Sequence, residues 1–303
     1  MNMHQAILVF GGTGFIGSAL VKMLLSKKIT VLVFKYKGTG FLGEIKDSNL
    51  VYFDSFEELV LRKYSIDVLY HLASRLPDVQ PTFADFYNAN VVLTTEIIEL
   101  AKELKVKQFV YGSTGSVFEN PCEPIVFDEN TRVNPLSYYG LTKYIVERLL
   151  EIELKECDIQ VSIVRFPSVF GKNNSIGITK LFFDLAKKGD DIKIFSNGVR
   201  YRNLMHVNSA VDMLYKIYKG RGKLSKYEIF LAGSSDSVTI LNISKMVVKM
   251  VKSKSKIIPV DEFPPSDFDV RIDISKAERI LRFKPMSIED GLKKYIEEEY
   301  EKI

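Results

Sequence analysis

Two cysteines in 303 residues, Cys122 and Cys157, cannot form a disulfide framework. The histidines are as scarce: His4, His71 and His206 stand too far apart for zinc-ligand spacing, and no metal is expected. No apolar run approaches the ~20 residues needed to span a bilayer, so no membrane partner is expected. Forty-two basic residues face 38 acidic ones for a net charge of +4, without any block of like charge. Such a balance argues against nucleic acid as a partner. No linker rich in Pro, Gly or Ser and no repeat divides the chain. The first residues run into an apolar strand without a leader-like stretch, and a cytoplasmic enzyme is expected. What the chain does have is apolar content: 46% hydrophobic residues, ample for a packed core.

Its most informative stretch is Gly11-Gly12-Thr13-Gly14-Phe15-Ile16-Gly17. The apolar run Ala6-Ile7-Leu8-Val9-Phe10 precedes it at strand length, and Ile16, Ala19, Leu20, Met23 and Leu24 follow at helical spacing. Strand, glycine turn and helix form the context of a dinucleotide fingerprint. Gly12 is expected to give the tight turn, Gly14 the close approach of a pyrophosphate, and Gly17 the close packing of helix on strand. The free N–H groups and positive end of the helix then receive phosphates. No Gly-Lys-Ser/Thr follows, which excludes a Walker A loop. The competing reading is a glycine-rich turn kept for steric reasons alone.

Further apolar runs end at polar residues. Residues 30–34 lead to Lys35, 51–53 to Asp54, 68–70 to His71-Leu72-Ala73-Ser74, 109–111 to Gly112–Ser116, and 161–164 to Arg165. Helical periodicity covers 91–104 and begins again near Ser137. Alternating strands and helices imply a parallel sheet covered on both faces, with ligands outside the C-terminal strand ends. The expected class is therefore α/β, a Rossmann-type doubly wound parallel sheet. Beyond Gly171 the alternation loosens, and a smaller α+β substrate-binding cap is expected there. The dinucleotide domain is placed at 1–170 with about 205–232, and the cap at 171–204 and 233–303.

Tyr139 and Lys143 stand four residues apart on one helical face. An ammonium there stabilises a phenolate and lowers a pKa that starts near ~10, which makes a general acid/base. Lys143 can also hold a nicotinamide ribose, and a cationic ring adds to the effect on Tyr139. Tyr215 and Lys219 share the spacing, and for an isolated pair a solvated helix face is the better explanation. Tyr139/Lys143 ranks first because it follows Ser113-Thr114 in the parallel-sheet half. Thr114 can bond a substrate oxygen; its alternative is a turn hydroxyl satisfied by its own backbone.

With these pieces in order, the chain resembles the extended short-chain dehydrogenase/reductase family, the NAD-dependent epimerase/dehydratase family, whose members mostly modify nucleotide sugars. The glycine loop resembles the family's cofactor loop, His71-Leu72-Ala73 its fourth-strand motif, Asn90-Val91 the following helix start, and Ser113–Phe118 its active-site strand end. Tyr139-Gly140-Leu141-Thr142-Lys143 matches the catalytic motif, and Arg165–Gly171 the passage from cofactor to substrate. Arg202–Val207 resembles the substrate-phosphate motif; Asp273–Ala277 and Glu289–Leu292 resemble C-terminal motifs. The resemblance implies catalysis by Thr114, Tyr139 and Lys143. It implies cofactor contacts from Gly11, Thr13, Gly14, Phe15, Ile16, Gly17, Lys35, Asp54, Leu72, Ala73, Tyr139 and Lys143. Thr114, Ser168 and Arg202 are the implied substrate contacts, and a homodimer through residues near 91–104 and 138–152 is also implied.

Departures from the pattern refine these expectations. Lys35 stands where an acid usually binds the adenosine ribose, and Lys37 is a second cation nearby. A cation attracts a 2′-phosphate, so NADP is the expected cofactor, with NAD as the alternative. Ser168 replaces a common asparagine, and the usual second phosphate-binding arginine is missing around Phe263–Asp267, with Arg271 nearby. No Asp-Glu pair follows Thr114, so a 4,6-dehydratase is not expected. The expected activity is hydride transfer on a nucleoside-diphosphate sugar, leaning to 4-keto reduction, with 4-epimerisation as the alternative. A non-catalytic NAD(P)-binding sensor or scaffold is the rival from another class, and it has no need of the Thr114/Tyr139/Lys143 set.

Overall fold

The computed structural model describes residues 4–35, 38–61, 64–77, 81–121, 125–264 and 268–300. Lys37, Cys122 and Pro265–Asp267, all invoked above, lie outside the described residues.

In chain order the elements begin β1 (Gln5–Phe10), α1 (Phe15–Ser26), β2 (Val31–Phe34), β3 (Leu50–Phe53), α2 (Phe56–Leu61) and β4 (Ser65–His71). Next come α3 (Phe83–Phe86), a π-helical stretch (Tyr87–Val92), α4 (Leu93–Glu103), β5 (Gln108–Thr114), β6 (Val126–Phe127), α5 (Tyr138–Glu153), β7 (Gln160–Phe166) and β8 (Ser168–Phe170). Then follow α6 (Ile178–Lys188), β9 (Ile192–Ile194), β10 (Tyr201–Arg202), β11 (Leu204–His206), α7 (Val207–Gly220) and β12 (Tyr227–Leu231). The chain closes with β13 (Val238–Thr239), α8 (Ile240–Val251), β14 (Ile257–Pro259), β15 (Arg271–Ile272), α9 (Ser275–Leu281) and α10 (Ile288–Tyr300).

The chain divides into two compact units. The first holds residues 1–119, 132–165 and 211–230. Its framework is a seven-stranded sheet in the order β12-β7-β5-β4-β1-β2-β3, and the β3–β2, β2–β1, β1–β4 and β4–β5 pairs are parallel. The strands are apolar runs rather than alternating ones because helices cover both faces; Leu8, Val9, Leu69 and Val110 are wholly buried. Leu8, Leu32, Leu69 and Phe109 pack with Ile97, Ile98 and Val146 of α4 and α5 into one core. The order steps from β1 to β4 in one direction and to β2 in the other. Such a reversal leaves a crevice at the C-terminal strand ends, where Gly11, His71 and Thr114 stand.

The second unit holds 120–131, 166–210 and 231–303, a division that departs from the sequence expectation at three places. Residues 120–131 join it because β6 pairs with β15, 166–170 because β8 pairs with β11, and 205–210 through that same ladder. Strands of two or three residues carry too little pattern to be read from sequence, and α6 was not foreseen either. Phe170, Phe182, Phe183, Ile243, Leu292 and Tyr295 make a core of its own. Among the described residues no helix is long and apolar enough to cross a membrane.

Candidate active site

The glycine loop forms the first wall. Gly11, not Gly12, takes the left-handed conformation, at φ +79°, and a Cβ there would lie 2.4 Å from the Ala73 nitrogen. The expected role of Gly12 is thus corrected: its neighbours are Val33 and Val21, so its smallness serves packing under the loop. Gly17 lets α1 descend onto the loop, since a Cβ there would sit 2.0 Å from the Gly11 carbonyl oxygen. Gly14 precedes α1, and apart from the Gly11 oxygen at 3.3 Å nothing would meet its Cβ. No side chain caps α1, which leaves the N–H groups of Phe15, Ile16 and Gly17 directed outward. An open glycine cradle with uncapped donors fits a pyrophosphate. The Thr13 carbonyl accepts from the Phe41 N–H at 3.0 Å. Leu72 and Ala73 are locked beside the loop, the Leu72 N–H on the Phe10 carbonyl at 2.9 Å.

At the ends of β2 and β3, Lys35 Nζ lies 3.4 Å from an Asp54 carboxylate oxygen and 6.0 Å from the Tyr52 ring centre. The ammonium expected to attract a phosphate therefore has a carboxylate beside it.

The second wall is built where α5 starts. Ser137 accepts from the Gly140 N–H at 3.0 Å, and a Cβ at Gly140 would lie 2.1 Å from the Ser116 carbonyl oxygen. Only a glycine lets the helix start this close to the turn after β5. The Tyr139 hydroxyl is thereby brought towards the Thr114 and Ser74 hydroxyls, which act to lower its pKa. Thr114 also does what its alternative reading asked: its Oγ1 accepts from the Ser116 N–H at 3.1 Å. Both descriptions hold at once, because the turn bond aims the hydroxyl.

Ser74 was not singled out from the sequence. Asn90, buried in the π-helical stretch, places it: Asn90 Oδ1 accepts from Ser74 Oγ at 3.2 Å and from the Arg75 N–H at 2.8 Å, and Nδ2 donates to Thr142 Oγ1 at 3.1 Å. One amide ties the loop after β4 to α5. Polar Asn90, with Thr94 one turn on, among apolar helical residues was the available signal, and π-helical turns recur at functional sites.

Lys143 is buried, with Nζ 4.2 Å from the centre of the Tyr111 ring. Burial drives its pKa down to about 7, against the opposing pull of Glu147 one turn on. Glu147 is itself bound by Arg165, with Nε at 3.1 Å and Nη2 at 2.7 Å, and accepts from Ser113 Oγ at 2.5 Å. Tyr139, Lys143 and Glu147 thus form one stripe along α5, anchored to β5 and β7. The expected depression of the Tyr139 pKa does not arise from these side chains. Burial raises it, offset in part by the Thr114 and Ser74 hydroxyls, and Lys143 is not among the causes. His71 is driven down to about 3 by burial and by the Lys143 charge, and its Nε2 meets Thr94 Oγ1 at 2.8 Å. It is a neutral core group.

A cavity of about 580 Å³ opens beside this wall, lined by Pro77, Phe86, Pro135, Leu136, Tyr138 and Tyr139 among others. By contrast Tyr215 is covered by Lys27, at 4.7 Å from its ring, while Lys219 is exposed. That pair lies on a solvated face.

In the second unit, Ser168 is an exposed residue of β8, in register with Leu204. Arg202 Nη1 donates to the carbonyls of Tyr201, at 2.9 Å, and Phe268, at 2.5 Å. Among the described residues no group of three or more His, Cys, Asp or Glu could hold a metal ion.

The loop, the strand-end Thr114 and the Tyr139/Lys143 stripe define a dinucleotide-dependent enzyme of the extended short-chain dehydrogenase/reductase type. The model of the NAD dependent epimerase/dehydratase family matches residues 7–233, and the chain belongs to that family. It is 28% identical to a UDP-glucuronate 4-epimerase of Thermodesulfobacterium geofontis, over 95% of this chain and 94% of that protein. It is 27% identical to a UDP-N-acetyl-alpha-D-glucosaminuronate decarboxylase of Bacillus cytotoxicus, over 97% of this chain and 98% of that protein. The crystal structure of UDP-glucuronic acid 4-epimerase from Bacillus cereus in complex with NAD superposes with a TM-score of 0.82 at 25% identity, covering 97% and 99% of the two chains.

Proposed function

We propose that this protein is an NAD-dependent 4-epimerase of a nucleoside-diphosphate sugar. The observation that carries the reading is the close start of α5 on the turn after β5, with Gly140 against the Ser116 carbonyl, which sets Tyr139 by Thr114 one helical turn from the buried Lys143. In the proposed reaction Tyr139 takes the proton of the sugar 4-hydroxyl while Thr114 holds that oxygen, and Tyr139 returns the proton when the ketone is reduced on its other face. When bound, NAD would supply the hydride acceptor and donor. Gly11, Gly14 and the N–H groups of Phe15–Gly17 would hold its pyrophosphate, Leu72 and Ala73 would line its path, and Lys143 would hold the nicotinamide ribose.

The lean towards an NADPH-consuming 4-keto reductase rested on Lys35 as an unopposed cation. The Lys35–Asp54 pair carries no net charge, and Asp54 supplies an acceptor for a ribose hydroxyl while repelling a 2′-phosphate. With 4-epimerases among the relatives and NAD bound in one, NAD and epimerisation are the better reading. Gly115 and Ser116 after Thr114 supply no acid–base pair for a 4,6-dehydration. Helices α4 and α5, joined by Lys102 and Glu153 at 2.9 Å, carry the exposed Ile152 and Tyr138, and we assign them to a homodimer contact.

The test is to identify the nucleotide released on denaturation, then incubate a panel of UDP-, dTDP- and GDP-hexoses and -hexuronates with the protein and follow C4 by NMR. Epimers with no net change in cofactor are expected. Stoichiometric oxidation of NADPH coupled to 4-keto sugar reduction overturns the reading.

A further inference from the structure

Arg200 in the second unit has no role assigned so far. It immediately precedes β10, and its carbonyl accepts from the Ile240 N–H at 3.0 Å, which fixes the backbone. Its guanidinium lies over the Phe263 ring, 5.6 Å from the centre, and its Nε is buried with no hydrogen-bond partner. Among the described residues no carboxylate pairs with it. A half-buried guanidinium with an unmet donor is an expensive arrangement for a merely structural residue.

Strand alternation puts Arg200 and Arg202 on one face and Tyr201 on the other. Both arginines reach the same stretch of chain: Arg202 donates to the Phe268 carbonyl, and Arg200 covers Phe263. Arg271, the other nearby candidate, belongs to the opposite face. Its guanidinium stacks on Tyr201 at 3.8 Å, and its Nη2 meets Asp269 at 3.4 Å. Asp269 also accepts from the Tyr201 N–H at 2.9 Å. The Nε of Arg271 is likewise buried without a partner, but Asp269 balances its charge, whereas among the described residues no carboxylate pairs with Arg200.

We infer that Arg200 and Arg202 form a two-guanidinium clamp for the diphosphate of the substrate, with Arg200 as its second, previously unassigned member. The inference rests on the nucleotide-sugar reading above and adds to it the residue that replaces the missing arginine of the Phe263 region. Planar guanidinium forks suit phosphate oxygens, and Phe263 holds the Arg200 fork by its face so that the N–H edge remains for the anion.

The experiment measures binding of UDP, dTDP, GDP, uridine and inorganic pyrophosphate by calorimetry to the parent protein, Arg200→Met and Arg200→Gln. Arg200→Met keeps the stem against Phe263, and an unchanged melting temperature and NAD affinity show that the variants are folded. The expected result is that one nucleoside diphosphate binds the parent and weakens about ten- to thirty-fold in both variants, with a shallower dependence on salt. Affinity for its nucleoside should be unchanged. Undiminished nucleoside-diphosphate affinity in both variants overturns the role of Arg200 and leaves the nucleotide-sugar reading standing. Pyrophosphate binding that depends on Arg200, without binding of any nucleoside diphosphate, upholds the clamp and overturns that reading. A parent protein that binds none of the anions overturns both.

Discussion

At the scale of single residues, Tyr139 is where local structure becomes chemistry. Its ring is placed by Gly140 and its oxygen by Thr114 and Ser74. Tyr139→Phe removes only the transferable proton, so turnover should fall by roughly two orders of magnitude or more, with NAD affinity little changed. Tyr215→Phe, on the solvated pair, serves as the control and should turn over normally. Steady-state rates on the epimerised sugar decide this. Lys143 makes a prediction about stability. Its folded pKa of about 7 lies below the ordinary lysine value of 10.5, so the unfolded chain binds more protons between those values, and the folded state gains stability as pH rises through that window. Lys143→Met removes the penalty. It should stabilise the NAD-free protein by on the order of 2–4 kcal/mol at pH 7, and the gain should shrink towards pH 10. Chemical denaturation across that range reads it; a gain that does not change with pH would contradict the assignment.

At the scale of elements, the Ser113–Glu147–Arg165 network joins β5, α5 and β7. Glu147 and Arg165 are 1% and 3% exposed as side chains, so each would be an uncompensated buried charge without the other. Glu147→Gln should cost about 3–5 kcal/mol. The double replacement Glu147→Met with Arg165→Leu should recover most of that loss, and denaturant midpoints of the three proteins test the sign. The glycine loop makes a sharper case. Gly17→Ala puts a methyl group 2.0 Å from the Gly11 carbonyl oxygen, and backbone on both sides cannot yield cheaply. Loss of NAD binding is expected at a temperature where the central sheet still gives its far-ultraviolet dichroism.

At the scale of the whole molecule, the first unit leaves apolar side chains uncovered along one set of helices. Phe83 and Tyr138 of α3 and α5 touch, with ring centres 5.4 Å apart, and Tyr87 joins them at 5.8 Å from Phe83. Ile152 is 63% exposed further along α5. Exposed apolar side chains of this kind are what the proposed homodimer would cover. The homodimer proposed above should appear at twice the 34.6 kDa chain mass in light scattering, and Ile152→Asp should shift the equilibrium to monomer. A parent protein that runs as a monomer at micromolar concentration would remove the proposal.

The sequence alone determined the central sheet, the helix carrying Tyr139 and Lys143, and the fingerprint loop. Each is a local pattern: a buried parallel strand is an uninterrupted apolar run, a helix repeats its apolar residues every turn, and a phosphate loop needs small residues at fixed offsets. Tertiary structure decided what long-range contact controls. Glycine counting assigned the tight turn to Gly12, but the approach of Ala73 from β4 requires the left-handed residue to be Gly11. Lys35 stood alone in the sequence until β3 packed beside β2 and brought Asp54 to it. The phenol of Tyr139 was read from its spacing to Lys143, whereas burial, Thr114 and Ser74 set its proton affinity. Spacing along a helix is fixed by the chain itself, but desolvation and ion pairing depend on which distant strands and loops close over the group, and those partners are chosen only when the core packs.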